Sequence, residues 1–301
     1  MNKTPARDLL QKIPEEVETL LLESRAIATN ALTGLHRSPY RGSSIEFREH
    51  REYQPGDDLR RLDWRVFAKS DRLYVKQFED ETTLNVEIVL DVSKSMDYSS
   101  ESERPTKFRR AQLLAAALAD IAIRQGDAVR CWSFSHQLNF LTELRRQESH
   151  LFDLAQAITK LTPSGADAPS VAFDGLASKI QKRSLVIILS DVLFDIDAIM
   201  LPLRSLKAKQ FDINLFRVND PREFDFDFTQ PGYFECLETD RQTFVHPNLF
   251  RKAYQKEWER RERLLQESCR QAHITLQTHR CDQDPAKSLQ DWIEYRQRAL
   301  R

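Results

Sequence analysis

The sequence predicts an α/β fold, a doubly wound, mostly parallel sheet with helices on both faces, of the Rossmann-like kind, plus a small N-terminal α+β extension. Two observations predict it. From about residue 86 onward, apolar runs of strand length alternate with segments of helical period, the pattern of a parallel sheet whose strands are covered on both faces. In addition, two of these runs, VEIVL at 86–90 and SLVIILS at 184–190, end directly on Asp91 and Asp191. Ligands of open α/β sheets bind beyond the carboxyl ends of the strands, so acids placed there are informative.

Pro14 followed by EEVETLLLESRAIATNAL predicts an amphipathic helix opening after the proline. The stretch SIEFREHREYQPGDDLRRLDWRVFAKSDRLYVKQFEDE alternates polar and apolar residues around the turn former Pro55-Gly56, which predicts short, half-exposed strands. Residues 1–82 are therefore expected to form the extension and 83–301 the main domain. Further strands are expected at AVRCWSF (128–134), INLFRV (213–218) and ITLQT (274–278), with helices at about 107–124, 148–161, 168–181, 195–207, 248–271 and 285–299. Ser135-His136 should turn a hairpin into LNFLTEL, giving one antiparallel edge. FECLETDRQTFVH at 234–246 reads as a second hairpin, within an insertion near 220–247 ahead of the long helix. On that helix Phe250, Tyr254, Trp258, Leu265, Cys269 and Ala272 form one stripe, expected to be core packing.

Composition removes several classes of function. Lys and Arg number 45 against 46 Asp and Glu, so the net charge of -1 gives no support to nucleic-acid or anionic-membrane binding. Ten bases against seven acids between 36 and 76 describe a solvated, salt-bridged face, although Tyr53, Trp64 and Tyr74 there would suit a stacking platform. The first residues lack an apolar signal core, and the longest strongly apolar run, LLAAALA at 113–119, is too short to cross a bilayer, so a soluble cytoplasmic protein without membrane insertion is expected. Cys131, Cys236, Cys269 and Cys281 form no C-x-x-C pair and read as reduced thiols at core or boundary positions. His273, His279 and Cys281 lie along one strand and its exit, too extended for a zinc site. Neither glycine-loop nucleotide motif, nor G-x-S-x-G, nor H-E-x-x-H occurs.

The chemistry concentrates in VEIVLDVSKSM. Asp91, Ser93 and Ser95 follow a buried strand at every second position, and oxygen ligands of this kind suit a hard cation. The spacing alone is a weak signal. Joined to a second strand that ends on Ser190-Asp191 a hundred residues later, it becomes a strong one.

This pattern resembles the metal-ion-dependent adhesion site of von Willebrand factor A domains. Together with REYQPGDDLRRLDWRVFAKSDRLYVKQFE upstream, it makes the chain from about residue 35 to the end resemble the bacterial family known as domain of unknown function 58. Tyr53, Gly56, Asp57, Asp58, Arg60, Asp63 and Trp64 match that family's signature. For these residues the reading is structural, with Asp57 and Asp58 bonding backbone or arginine and Trp64 packing on the main domain. The resemblance implies Mg²⁺ or Mn²⁺ held by Ser93 and Ser95 directly and by Asp91 and Asp191 directly or through water. An open position would then accept a partner's Asp or Glu, and a MoxR-type AAA+ ATPase is the implied partner. One departure stands out: in LTPSGADAPSVAF, Ala166 takes the place of the Thr that such sites add, so Ser164 or Asp167 must substitute, or the metal site is degenerate and the domain a scaffold.

The function expected is a non-enzymatic protein–protein interaction module, acting as an adaptor or assembly factor. The alternative, a Mg²⁺-dependent phosphoryl-transfer enzyme with Asp91 as nucleophile, normally needs a second carboxylic acid two residues on. Ser93 occupies that position.

Overall fold

Pro14 starts the first helix as expected. Its carbonyl accepts from the amides of Val17 and Glu18 at 2.9 and 3.1 Å, and α1 (Glu15–Thr33) follows. The computed structural model describes residues 14–33, 47–53, 66–67, 73–78, 83–165, 168–181, 183–239 and 241–299. Val17, Leu20, Ala28 and Ala31 of α1 are buried in the main hydrophobic core. Against the expected division into 1–82 and 83–301, α1 thus groups with the main domain that starts at Leu84, and the described strands between 39 and 83 belong to a separate unit. The reason is that the apolar face of α1, small at Ala28 and Ala31, packs closely on later helices.

In the 39–83 unit, β1 (Phe47–Glu52) pairs antiparallel with β2 (Tyr74–Phe78), and the Tyr53 amide donates to the Leu73 carbonyl at 2.9 Å. Tyr53 thus sits where the pair ends. Gly56, Asp57, Asp58, Arg60, Asp63 and Trp64 lie outside the described residues.

The main sheet begins with β3 (Asn85–Asp91), which runs through Asp91 itself. Thr106 then caps α2 (Lys107–Arg124) by accepting from the Arg109 amide. Next come β4 (Ala128–Phe134), antiparallel β5 (Leu138–Phe140) and α3 (His150–Thr159). The expected helix 168–181 is broken at Gly175 into α4 (Pro169–Asp174) and α5 (Leu176–Lys179), a residue that weakens a helix interior. The chain continues through β6 (Leu185–Ser190), α6 (Ile196–Ala208), β7 (Asp212–Asn219) and α7 (Pro221–Asp225). The second hairpin forms as β8 (Gly232–Glu235) and β9 (Gln242–Val245), before α8 (Pro247–Gln271), β10 (Thr275–Arg280) and α9 (Pro285–Ala299).

Strand order is β10-β7-β6-β3-β4-β5, parallel except for β5. From β3 the chain steps outward to β4 and then returns to β6 on the other side of β3. The order thus reverses between β3 and β6, which is where such sheets open a binding crevice.

Side-chain alternation divides the core in two. Val86, Ile88 and Leu90 of β3, with Leu185, Ile187 and Leu189 of β6, pack under α1, α2, α3 and α9. Val89, Val186 and Ile188 face the opposite way, toward α4, α5, α6 and α8. Truncating Ile88, wholly buried, to alanine would cost about 2–5 kcal/mol. The α8 stripe is core only in its second half: Leu265 and Cys269 are buried, whereas Phe250 is 53% exposed and Tyr254 and Trp258 are half-buried against Phe226 and Phe224. The first turns of the helix meet instead the segment from α7 to Phe228, where Arg251 donates to the carbonyls of Phe226 and Phe228. Cys131, Cys269 and Cys281 are buried thiols, while Cys236 departs from expectation by standing exposed at the tip of the second hairpin. His279 is buried and bonded to Ser288 Oγ at 2.7 Å. Among the described residues, no helix is long and apolar enough to cross a membrane.

Candidate functional site

Parallel pairing of β3 with β6 sets Leu90 opposite Leu189, so Asp91 and Ser190 leave the sheet side by side. Ser190 Oγ donates to Asp91 Oδ2 at 2.6 Å, and Asp91 Oδ1 accepts from the Ser93 amide at 2.9 Å. Asp91 therefore meets only neutral donors. Burial, and then the nearby Asp191 carboxylate, push its pKa up to about 7 against the pull of those hydrogen bonds.

Ser93 and Ser95 are buried, with their hydroxyls 3.1 Å apart, and a 3-10 turn at Lys94–Asp97 carries the loop away. The loop containing Ser164 and Gly165 closes against them. The Ser164 amide donates to the Val92 carbonyl at 2.7 Å and the Lys94 amide to the Gly165 carbonyl at 3.1 Å. The segment expected to carry the Thr equivalent thus does reach the site by its backbone, although Ser164 itself is exposed. Asp167 and Ala166 lie outside the described residues.

Asp191 has a different neighbourhood. Its Oδ2 accepts from Lys107 Nζ at 2.7 Å and its Oδ1 from the Leu193 amide at 3.2 Å. Lys107, only 1% exposed, also donates to Glu223 Oε1 at 2.5 Å. Burial disfavours this ammonium, yet Asp191 and Glu223 outweigh it and hold its pKa above the ordinary lysine value. Glu223 is raised, by burial first, and its other oxygen accepts from Asn219 Nδ2 and the Asp220 amide. The Asp191 loop is braced from α8, where Arg261 donates to the carbonyls of Val192 and Phe194.

Three residues outside the sequence expectation, Lys107, Glu223 and Glu238, complete the site. Lys107 carried a legible signal: a lysine at the first position of a helix, with no acid in that first turn, opposes the helix dipole and so needs another reason to be there. Glu238, at the tip of the β8–β9 hairpin, accepts from the Ser95 amide through Oε1 at 2.9 Å. No local pattern marks it, since 143 residues separate the two partners.

The donors are of the kind a hard cation takes: the Ser93 and Ser95 hydroxyls lie side by side next to Asp91, while Asp191 and Glu223 already share the Lys107 ammonium. Among the described residues no group of three or more His, Cys, Asp or Glu side chains forms a metal cluster, so any cation here depends on the serine hydroxyls.

The strand order with its antiparallel edge, and an Asp-x-Ser-x-Ser loop at the reversal point, give the mostly parallel, Rossmann-like α/β sheet that the sequence predicts, with its candidate site where such sheets bind ligands. The chain belongs to the family described as "Protein of unknown function DUF58", whose profile matches residues 49–264. Its relatives include uncharacterized proteins Mb1516 of Mycobacterium bovis and Rv1480 of Mycobacterium tuberculosis, each 29% identical over 219 residues, covering 71% of this chain and 67% of theirs. Among solved structures it is similar to the conserved hypothetical protein BatB of Bacteroides thetaiotaomicron, with TM-score 0.49 and 14% identity over 70% of this chain and 98% of that one. It is also similar to a von Willebrand factor type A protein of Catenulispora acidiphila, with TM-score 0.40 and 13% identity over 74% and 42% of the two chains.

Proposed function

We propose that this protein is a non-enzymatic interaction module that docks an acidic side chain of a partner protein at the Asp91–Ser95 loop. Ser93, Ser95, Asp91 and Asp191 would hold Mg²⁺ or Mn²⁺, which when bound supplies a hard centre for the incoming carboxylate. The observation that carries this reading is the convergence of the two aspartate-ended strands at the reversal of strand order, with the Ser93 and Ser95 hydroxyls 3.1 Å apart beside them. Turnover chemistry is disfavoured by the bonding of Asp91. Its oxygens are held by Ser93 and Ser190, and the position two residues on, where an acid and base for the leaving group would stand, is Ser93. By family resemblance the partner is a MoxR-type AAA+ ATPase in the cytoplasm, for which this chain serves as adaptor or assembly factor.

The test is thermal melting in millimolar Mg²⁺ or Mn²⁺. The expected result is a rise in Tm that Asp91→Ala abolishes. An unchanged melt in the wild type leaves a scaffold without a cation. Co-purification with the ATPase should weaken in Ser95→Ala, and equal recovery would separate the loop from partner binding.

A further inference from the structure

Strand alternation gives the β8–β9 hairpin two faces. The inner one carries Phe234, which stacks on Phe226 with ring centroids 5.9 Å apart and meets Phe228 edge-on at 4.9 Å, and this fixes the hairpin beside α7. The outer one carries Tyr233 opposite Phe244, edge-on at 5.2 Å. Neither ring takes part in the inner packing, and Tyr233 is 74% and Phe244 50% exposed. Phe244 meets the His246 ring at 5.2 Å, and the His246 carbonyl accepts from the Leu249 amide at 3.0 Å where α8 opens. Leu249, 77% exposed, and Phe250 carry the apolar line onto the helix. Large apolar side chains left singly in water are ordinary, whereas a run of them across two elements marks a contact surface.

Charge narrows what that surface takes. Residues 241–256 hold four bases, Arg241, Arg251, Lys252 and Lys256, and no acid. Arg251 is committed to the carbonyls of Phe226 and Phe228. The other three are exposed and enter no ion pair among the described residues. Lys252 and Lys256 follow Leu249 at helical spacing and so share its face of α8. Farther along the helix the bases are matched, Arg260 with Glu257, Arg263 with Glu259 and Arg270 with Glu267. The first turn of α8 has no acid, so the positive end of its dipole adds to the same field. Glu235, the acid of the hairpin's outer face, is held 3.5 Å from Gln242 Nε2. An apolar surface bordered by unmatched bases complements an apolar segment that carries acids. A lipid surface is the other anionic candidate, but attraction to lipid takes clusters of about four to eight bases. Only Arg241, Lys252 and Lys256 are free to serve here.

We infer that the outer face of the β8–β9 hairpin and the opening turns of α8 form a docking surface for an acidic, apolar segment of a partner protein, a second contact beside the Asp91–Ser95 loop. The hairpin joins the two places, since Glu238 at its tip accepts from the Ser95 amide at 2.9 Å. The inference rests on the reading of this chain as a partner-docking module and needs no cation.

The test uses the full chain without added metal and, as probe, a fluorescent peptide of Leu, Phe and Glu followed by anisotropy. A peptide of Leu, Phe and Lys and vesicles of phosphatidylserine with phosphatidylcholine are the comparisons. The acidic peptide should bind, weaken with added salt, and bind about tenfold less tightly to Leu249→Ser and to Phe244→Ser, the scale on which losing one interface anchor is felt. Joint replacement Lys252→Glu and Lys256→Glu should weaken it at least as much, and the lysine peptide should not compete. A melting temperature of Leu249→Ser close to that of the wild type establishes that the fold is preserved in the comparison. No binding of the acidic peptide, equal binding of both peptides, or unchanged affinity across the variants would overturn the inference. Vesicle binding that the same variants abolish would overturn it in favour of a lipid surface. Peptide binding retained in Ser95→Ala supports a surface separate from the loop. A peptide that does not bind, in a protein whose Tm still rises with Mg²⁺ and whose partner recovery still depends on Ser95, overturns the surface alone and leaves the loop reading standing.

Discussion

Asp91 and Asp191 end adjacent strands at the same edge of one sheet, yet their surroundings differ in kind. Asp91 continues the alternation of Val89 and shares its side of the sheet with Ser190, where the donors are a hydroxyl and an amide. Asp191 follows Leu189 toward the α2 side and meets the Lys107 ammonium. A one-residue difference in where each strand stops therefore decides which carboxylate is neutralised from within and which is left needing charge from outside. Strand parity, more than residue type, assigns the two aspartates their electrostatic roles.

The largest effect should come from breaking the neutralised side. Lys107→Met leaves Asp191 and Glu223 buried without their counter-ion and is expected to destabilise the fold by about 3–5 kcal/mol in urea unfolding. A loss below about 1 kcal/mol would mean that the ammonium is not what separates the two aspartates. Next in size is the matched pair of amides. Asp191→Asn weakens a charge-assisted hydrogen bond and should cost about 1.5–3 kcal/mol. Asp91→Asn, which removes a buried charge held only by neutral donors, should be close to neutral without metal, and a similar loss for both variants would erase the contrast.

The smallest effect tests whether a shift led by burial shows in the pH dependence of stability. His279 is a basic counterpart of Asp91 away from the loop, and burial first, then Arg110, lower its pKa from 6.5 to about 3. The unfolded chain takes up a proton below 6.5 that the folded chain refuses, so stability falls as pH drops from 6.5 toward 3. Between pH 6.5 and 5.5 this group should remove about 1 kcal/mol. His279→Gln should flatten that part of the acid limb of a Tm–pH profile, and an unchanged slope would show that the imidazole is not responsible.

Much of the fold was legible because its signals are local. Continuous apolar strands, the proline that opens α1, and the Ser135-His136 turn all act within a few residues of themselves. Asp91, Ser93, Ser95 and Asp191 were legible because strand ends and spacing carry them. The break at Gly175 and the placement of α1 with the main body were harder, since both depend on what the helix packs against. Glu223 and Glu238 were not legible because each acts through a partner 116 or 143 residues away, and Lys107, whose place at a helix start is a local oddity, shows its role only through Asp191, 84 residues on. A lone lysine or glutamate ordinarily belongs to water, and only tertiary contact shows otherwise.

The stretch from Gly232 to Gln271 touches both halves of the loop pair: Glu238 reaches the turn after β3, and Arg261, 23 residues further on, clasps the turn after β6. An excursion at the rim of a sheet is usually the part of a protein that can be trimmed or exchanged at little cost. Here a shortened hairpin would slacken one jaw of a clamp whose other jaw is the long helix, so chimaeras between relatives should transplant hairpin and helix as one piece.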